Sequence, residues 1–269
     1  MVNKNSFLVL GIVILAILVA GGFGYFYLLK GGEDVKPEES GKASAPPEEN
    51  LPGQDSSSED FSKLEGYRTR ENLPPFPEDW DVIHYGKNIL SQIPPERQKE
   101  QEDMFKALVR KINQEPDTLA FWIDLGLVKK VFEDYLGARD AWEYAGLLRP
   151  KDSVSLANLG DLYWHFLPNF PKAETNFLKA LENNPENLAL YKDLSDLYLF
   201  SYKEKAALAD DILLKGLEKN SKSVALLAWL GNYYRDLGDA AKARGYYQQA
   251  LEIEPTNDSI RRELNNLSS

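Results

Sequence analysis

The fold of this chain is decided by residues 159–185, which read LGDLYWHFLPNFPKAETNFLKALENNP. In the first half of this stretch, Tyr163 follows Leu159 by four residues and Gly160 by three, so all three share one helix face. The second half repeats this spacing with alanine and phenylalanine and ends at Pro185, because proline cannot continue a helix. The stretch therefore predicts two helices that pack closely, with small residues where they cross.

The same pattern occurs four times between residues 119 and 257, at intervals of 34 to 36 residues. The third copy is the most divergent, because Ser195 replaces glycine, Gly216 replaces alanine and Ser221 replaces proline. It also holds two extra residues in its turn, around residues 201–205. The recurring positions outside the second copy are Trp122, Leu125, Gly126, Ala138, Trp142, Ala145 and Pro150 in the first, Tyr191, Leu194, Tyr198, Ala209 and Leu213 in the third, and Leu230, Gly231, Tyr234, Ala243, Tyr247, Ala250 and Pro255 in the fourth.

The period and the residue types resemble those of the tetratricopeptide repeat. This resemblance covers about half of the chain, residues 117–257. It implies an all-α fold, a right-handed α-solenoid of antiparallel helix pairs that presents a concave surface to another protein. It also implies that the consensus aromatics, Trp122 and Trp142 among them, fill the core. Lys129 departs from the pattern, because the family has an aromatic residue there.

The repeats are predicted to be covered at their carboxyl end. Residues 258–269 are assigned as a capping helix, in which Ile260, Leu264 and Leu267 cover the last repeat. The other side of this helix is polar, as the exposed end of a repeat array must be.

A degenerate leading repeat is assigned to residues 76–116. A helix is predicted to begin at Pro95 and to run to about residue 113, since proline suits the first turn of a helix. We predict that residues 78–90, which include Trp80, supply the first helix of this leading repeat.

Residues 1–30 are predicted to be a transmembrane anchor. Residues 7–29 contain no charged side chain, and a bilayer core of about 30 Å is crossed by roughly 20 apolar helical residues. The alternative is a cleaved signal peptide, because residues 18–20 could precede a cleavage site. The apolar run continues well past Ala20, which favours the anchor.

Residues 31–75 are predicted to be a disordered linker. Residues 31–60 contain nine acidic and two basic side chains, together with several prolines and serines. Such a composition cannot bury enough apolar surface to order itself. The acidic run is interpreted as a solvated tether, with a ligand for a basic partner as the alternative.

The composition argues against several classes of function. The net charge of −11 and the lack of a basic stripe argue against nucleic-acid binding. There is no cysteine, and His84 and His165 are far apart, so no metal or cofactor site is predicted. No phosphate-binding loop or nucleophile motif is present, and no enzymatic activity is predicted.

In the tetratricopeptide family, the first helix of each repeat lines the concave face. One known mode in the family grips a terminal carboxylate with lysine and asparagine, but Ile123 and Leu127 occupy the corresponding positions here. Trp164 and Phe200 are interpreted either as ligand contacts or as packing against the next repeat. The predicted partner-binding residues are Lys130, Asn158, Asp161, Trp164, His165, Lys192, Asp196, Phe200, Asn232 and Arg235.

The favoured hypothesis is a single-pass membrane protein whose repeats bind a protein or peptide on the concave face. The layout resembles bacterial envelope proteins that act in assembly, maturation or quality control. The repeats are predicted to lie outside the cytoplasm. The alternatives are a cytoplasm-facing adaptor, or a self-associating structural protein in which Ala20 and Gly24 help to pair the anchors.

Overall fold

Helices provide all the regular secondary structure within residues 70–267, which are the residues that the computed structural model describes. A 3-10 turn (Arg70–Asn72) comes first, a π-helical turn (Leu197–Ser201) follows α7, and a 3-10 turn (Lys203–Leu208) precedes α8. The α-helices are α1 (Ile89–Gln92), α2 (Pro95–Gln114), α3 (Leu119–Val131), α4 (Tyr135–Leu148), α5 (Ser153–His165), α6 (Phe170–Asn183), α7 (Leu188–Asp196), α8 (Ala209–Lys219), α9 (Val224–Asp236), α10 (Ala240–Ile253) and α11 (Asp258–Asn266).

The helices from α3 to α10 form four consecutive pairs, one for each repeat in the sequence. A short turn joins the helices of the first, second and fourth pairs, whereas the π-helical and 3-10 turns lie between those of the third. Each pair also packs against the next one. A buried apolar core runs between the helices of every pair. The structure thus confirms an all-α solenoid of tetratricopeptide type for this part of the chain.

The two helices of a pair cross where the sequence has glycine. A Cβ atom at Gly126 would lie 2.3 Å from Nε1 of Trp142, and one at Gly160 would lie 2.5 Å from the ring of Phe177. In the third pair the glycine is replaced by Ser195, whose hydroxyl donates a hydrogen bond of 2.7 Å to the carbonyl of Ala209. The small residues therefore set how closely the helices approach.

A pair of glycine substitutions tests this packing. In the fourth repeat a Cβ atom at Gly231 would lie 2.4 Å from the ring of Tyr247, whereas one at Gly245 would meet nothing within 4 Å. We expect Gly231→Ala to destabilise the protein by about 1–3 kcal/mol through overpacking. Gly245→Ala should stabilise it by about 0.5–1 kcal/mol, because alanine is the better helix former. Urea unfolding followed by circular dichroism measures both changes, and equal effects would contradict the packing argument.

Three repeats share a contact that joins each pair of helices to the pair before it. The tyrosine hydroxyl of the first helix donates a hydrogen bond to a carboxylate on the preceding second helix. The pairs are Tyr163 with Glu143, Tyr198 with Glu174, and Tyr234 with Asp210. Burial and the neighbouring Glu143 carboxylate raise the pKa of Tyr163 to about 12, so this tyrosine stays neutral and remains a donor at neutral pH.

The predicted helix over residues 78–90 is wrong. Residues 78–82 form turns in which Asp79 has a φ of 51°, and only the short α1 is helical in this segment. A non-glycine residue with such a backbone conformation cannot continue a right-handed helix. The segment nevertheless packs on the first repeat, since Trp80 contacts Trp122 with the ring centroids 5.4 Å apart.

Lys129 holds this irregular segment in place. Its side chain is buried, and its ammonium lies 3.0 Å from the Asp134 carboxylate. It also donates hydrogen bonds to the carbonyls of Asp79 and Val82. Asp134 accepts a further hydrogen bond from the backbone of His84. At the equivalent position the later repeats have a tyrosine, whose hydroxyl donates to a carboxylate of the preceding repeat. The segment before the first repeat presents backbone carbonyls instead, and the Lys129 ammonium donates to these.

The extra residues of the third repeat are placed differently from the prediction. The sequence suggested that they lie in the turn around residues 201–205. In the structure, part of the insertion is taken up within the first helix, whose last turn (Leu197–Ser201) is π-helical. The Tyr202 amide donates a hydrogen bond of 2.7 Å to the Leu197 carbonyl, five residues earlier. π-Helical turns recur at functional sites, and this one carries Phe200.

The carboxyl-terminal helix α11 packs as the sequence suggests, with Ile260 buried against the last repeat. The predicted anchor at residues 1–30 lies outside the described residues, as does most of the predicted linker at residues 31–75. Among the helices that are described, none is both long and apolar enough to cross a membrane.

Candidate binding face

The candidate site is the first-helix face, which we define as the exposed sides of α3, α5, α7 with its π-helical turn, and α9. All ten predicted partner-binding residues lie on these elements, and none of them is fully buried. They do not form one continuous group, however. Lys130, Asp161 and His165 are linked across α3 and α5, whereas Lys192 and Asp196 pair with each other on α7. Asn232 and Arg235 on α9 have other contacts.

Lys130 and Asp161 join α3 to α5. The Lys130 ammonium lies 2.5 Å from the Asp161 carboxylate and 4.5 Å from the ring centroid of Phe166. His165, one turn along α5, approaches the other oxygen of Asp161 at 3.7 Å. Burial lowers the pKa of His165 and Lys130 adds to this effect, while Asp161 opposes it. The positive charge of Lys130 is therefore already balanced within the protein.

Trp164 and Phe200, for which two interpretations were open, differ in the structure. Trp164 is partly buried; its ring stacks on His165, and its Nε1 donates a hydrogen bond of 2.8 Å to the Ser201 hydroxyl. It thus packs against the next repeat. Phe200 is 63% exposed and is available to a partner. The π-helical turn accounts for both positions. It carries Ser201, which accepts the hydrogen bond from Trp164, and the neighbouring Phe200, which stays exposed.

Asp193 is a residue that the sequence prediction missed. It is partly buried on α7, beside Lys192 and Asp196, which form an ion pair with each other. Burial raises the pKa of Asp193 to about 7; the carboxylates of Asp161 and Asp196 act in the same direction and Lys192 opposes them. Its side chain has no hydrogen bond within residues 70–267. The signal that could have found it is register, since Asp193 follows Asn158 by 35 residues, one repeat.

Arg235 joins the last repeat to the capping helix, and Asn232 joins the two helices of that repeat. The Tyr247 hydroxyl donates a hydrogen bond of 2.7 Å to the Asn232 side chain. The Arg235 guanidinium lies 2.6 Å from the Glu263 carboxylate of α11 and 2.8 Å from Asp236. These contacts stabilise the end of the array, and the role of the two residues in partner binding stays a prediction.

The ionisation of Asp193 gives a stability prediction. The folded protein holds its proton up to about pH 7, whereas the unfolded chain loses it near the ordinary value of 3.8. This contribution to stability is therefore full below about pH 4 and is lost as the pH rises through 7. At pH 8 we expect Asp193→Asn to raise the unfolding temperature by about 2–4 °C for each kcal/mol of stability that the substitution adds. Near pH 4 the variant and the parent should unfold at the same temperature.

Thermal unfolding at the two pH values measures this effect. Glu182→Gln makes the same chemical change at an exposed carboxylate of α6 and controls for the loss of one negative charge. A stabilisation by Asp193→Asn that is equal at both pH values would contradict the assignment.

The fourth repeat is recognised independently. Residues 224–257 match the family model of the tetratricopeptide repeat. This chain contains a tetratricopeptide repeat. No curated protein matches it significantly in a sequence comparison.

Several solved structures contain a similar arrangement. MamA is 17% identical over 61% of this chain and 94% of that chain, with a TM-score of 0.48. YrrB, described as a tetratricopeptide repeat protein with an unusual peptide-binding site, is 17% identical over 60% of this chain and 81% of that one, with a TM-score of 0.44. PilF of Pseudomonas aeruginosa is 15% identical over 64% of this chain and 82% of that one, with a TM-score of 0.48. None of these likenesses identifies a partner for this chain.

Proposed function

We propose that this tetratricopeptide repeat protein is a membrane-anchored, non-catalytic scaffold that binds an extended segment of a partner protein on its first-helix face. The repeats supply the binding surface, residues 7–29 supply the anchor, and the acidic linker lets the repeats search around the bilayer. A role in envelope assembly, maturation or quality control follows from the resemblance of this layout to that of bacterial envelope proteins.

The observation that carries the proposal is the exposure of Phe200 beside a polar surface. An aromatic ring that is 63% exposed on the first-helix face is poorly placed for stability and well placed as an anchor for a ligand. Asp193 and Asn158, on the same face, have no hydrogen-bonding partners within the described residues. A surface with one apolar contact and several open polar groups suits an extended peptide.

Site-specific photocrosslinking in intact cells tests the binding face. A photoreactive amino acid is placed at Phe200 in the full-length chain, and a matched control places it at Leu178, which is 40% exposed on the second helix α6. We expect a discrete crosslinked product from position 200 and none from position 178. Crosslinking from both positions equally, or from position 178 alone, would count against the first-helix face.

The membrane anchor needs a separate test. Extraction of isolated membranes at alkaline pH should leave the full-length chain in the membrane pellet and release a chain that lacks residues 1–30. The mass of the mature protein distinguishes an anchor from a cleaved signal peptide, because cleavage after Ala20 removes the first 20 residues. Protease treatment of intact cells then reports whether the repeats lie outside the cytoplasm or face it, as the adaptor alternative requires.

A further inference from the structure

The cations of the first-helix face are already neutralised by the protein. Apart from the buried Lys129, the helices α3, α5, α7 and α9 carry three lysine and arginine side chains, and each of them contacts a carboxylate. The pairs are Lys130 with Asp161, Lys192 with Asp196, and Arg235 with Glu263. An acidic ligand would have to break one of these pairs before it could bind.

The open polar groups of the same face are two carboxyls and an amide. Asp124, Asn158 and Asp193 occupy the same register on α3, α5 and α7, separated by 34 and 35 residues. None of the three side chains forms a hydrogen bond or an ion pair within the described residues. Lys111 is near enough to Asp124 to lower its pKa, but burial outweighs this effect. A row of open polar groups, two of them carboxyls, thus crosses three successive repeats.

The apolar contact lies close to one end of this row. Phe200 follows Asp193 by seven residues, which corresponds to about 10 Å along a helix at 1.5 Å per residue. An extended peptide advances about 3.3 Å per residue. Two ligand side chains about three residues apart could therefore reach Asp193 and Phe200 together.

We propose that the first-helix face takes an extended protein segment that carries a lysine or arginine about three residues from an apolar side chain. The basic group binds at the Asp193 end of the row Asp124, Asn158 and Asp193, and the apolar group packs on Phe200. The charge of the open groups is complementary to such a ligand, and Lys130, Lys192 and Arg235 are already paired with carboxylates. This inference rests on the proposed function and specifies its ligand.

Binding of a cation at Asp193 should release protons near neutral pH. The groups that face this carboxyl are Lys192 and Asp196 on α7 and Asp161 on α5, with Lys130 and His165 around Asp161. A bound cation lowers the pKa of Asp193 from about 7. Loss of the Asp193 proton therefore makes the affinity rise between about pH 6 and pH 8. Protonation of His165, whose pKa is lowered, adds a repelling charge at lower pH.

Selection from a random-peptide library on the immobilised full-length chain tests the inference. We expect selected peptides to be enriched in lysine or arginine near an apolar residue, and to bind about tenfold more weakly to the chain with Asp124→Asn and Asp193→Asn. The Phe200→Ala chain should also bind them more weakly. Glu182→Gln, on the second helix α6, should bind them as the parent does. Circular dichroism confirms that each variant is folded.

The outcomes separate this inference from the proposed function. If selected peptides lose affinity for Phe200→Ala but bind the Asp124→Asn and Asp193→Asn chain as well as the parent, the face binds peptides and the basic specificity is wrong. Enrichment of acidic peptides would overturn it as well. If no peptides are enriched, or if affinity is the same for every variant, both the inference and the binding face are wrong.

Discussion

Replacing Lys129 by methionine is expected to destabilise the protein by about 3–5 kcal/mol, the cost of removing one partner from a buried ion pair. The Asp134 side chain is only 2% exposed, so its charge would be left without compensation. The carbonyls of Asp79 and Val82 would also lose their donor. The first repeat and the segment before it should therefore unfold more readily than the rest of the array.

The neighbouring lysine provides the control. Lys130→Met removes a lysine whose side chain is 24% exposed and whose partner is Asp161, and we expect it to cost about 1 kcal/mol or less. The double variant Lys129→Met, Asp134→Asn should recover part of the loss, because the amide can still accept from the Gly137 backbone. Urea unfolding with hydrogen exchange in α3 and α4 measures these changes. If Lys129→Met and Lys130→Met lower the free energy of unfolding equally, the buried pair of Lys129 and Asp134 does not stabilise the fold in the way argued.

Trp122→Ala is expected to cost about 3–5 kcal/mol, the range for truncating a fully buried aromatic side chain. Trp122 is inaccessible to solvent, and its Nε1 donates a hydrogen bond of 2.8 Å to the Pro116 carbonyl. Its ring lies 4.2 Å from that of Tyr144 and 5.4 Å from that of Phe76. The substitution therefore opens a cavity where α3, α4 and the leading segment meet.

Trp229→Ala is the matched control, because Trp229 is a partly buried tryptophan at the first-helix face of the fourth repeat. We expect it to cost about 1–2 kcal/mol, in proportion to the smaller apolar area that it removes from water. Far-UV circular dichroism follows unfolding independently of the tryptophan signal. A loss for Trp122→Ala that does not exceed the loss for Trp229→Ala would contradict the assignment of Trp122 to the core.

The helix pairs could be predicted from the sequence because their determinants are local and repeated. Gly160 and Phe177 meet within one pair, and the same residue types recur one period later. The spacing of such residues reports directly which side of a helix is buried. The first-helix face could be located for the same reason, since the residues between the buried positions must be exposed.

Three features depend on contacts that no local pattern contains. The segment before α2 is irregular because Lys129, some 50 residues away in sequence, satisfies the carbonyls of its turns. Trp164 is partly covered because the π-helical turn brings Ser201 to its indole. The pKa of Asp193 is raised because the fold buries it beside Asp161 of the preceding repeat.

The helix pairs, their number and their tight crossings follow from the amino-acid sequence, because a period of 34 to 36 residues encodes contacts between near neighbours in the chain. Which of the surface groups are free depends on how the repeats pack on one another. A side chain such as Phe200 or Asp193 is open to a ligand only if no residue from another repeat covers or neutralises it. That depends on distances between helices, which residue spacing within one helix does not specify.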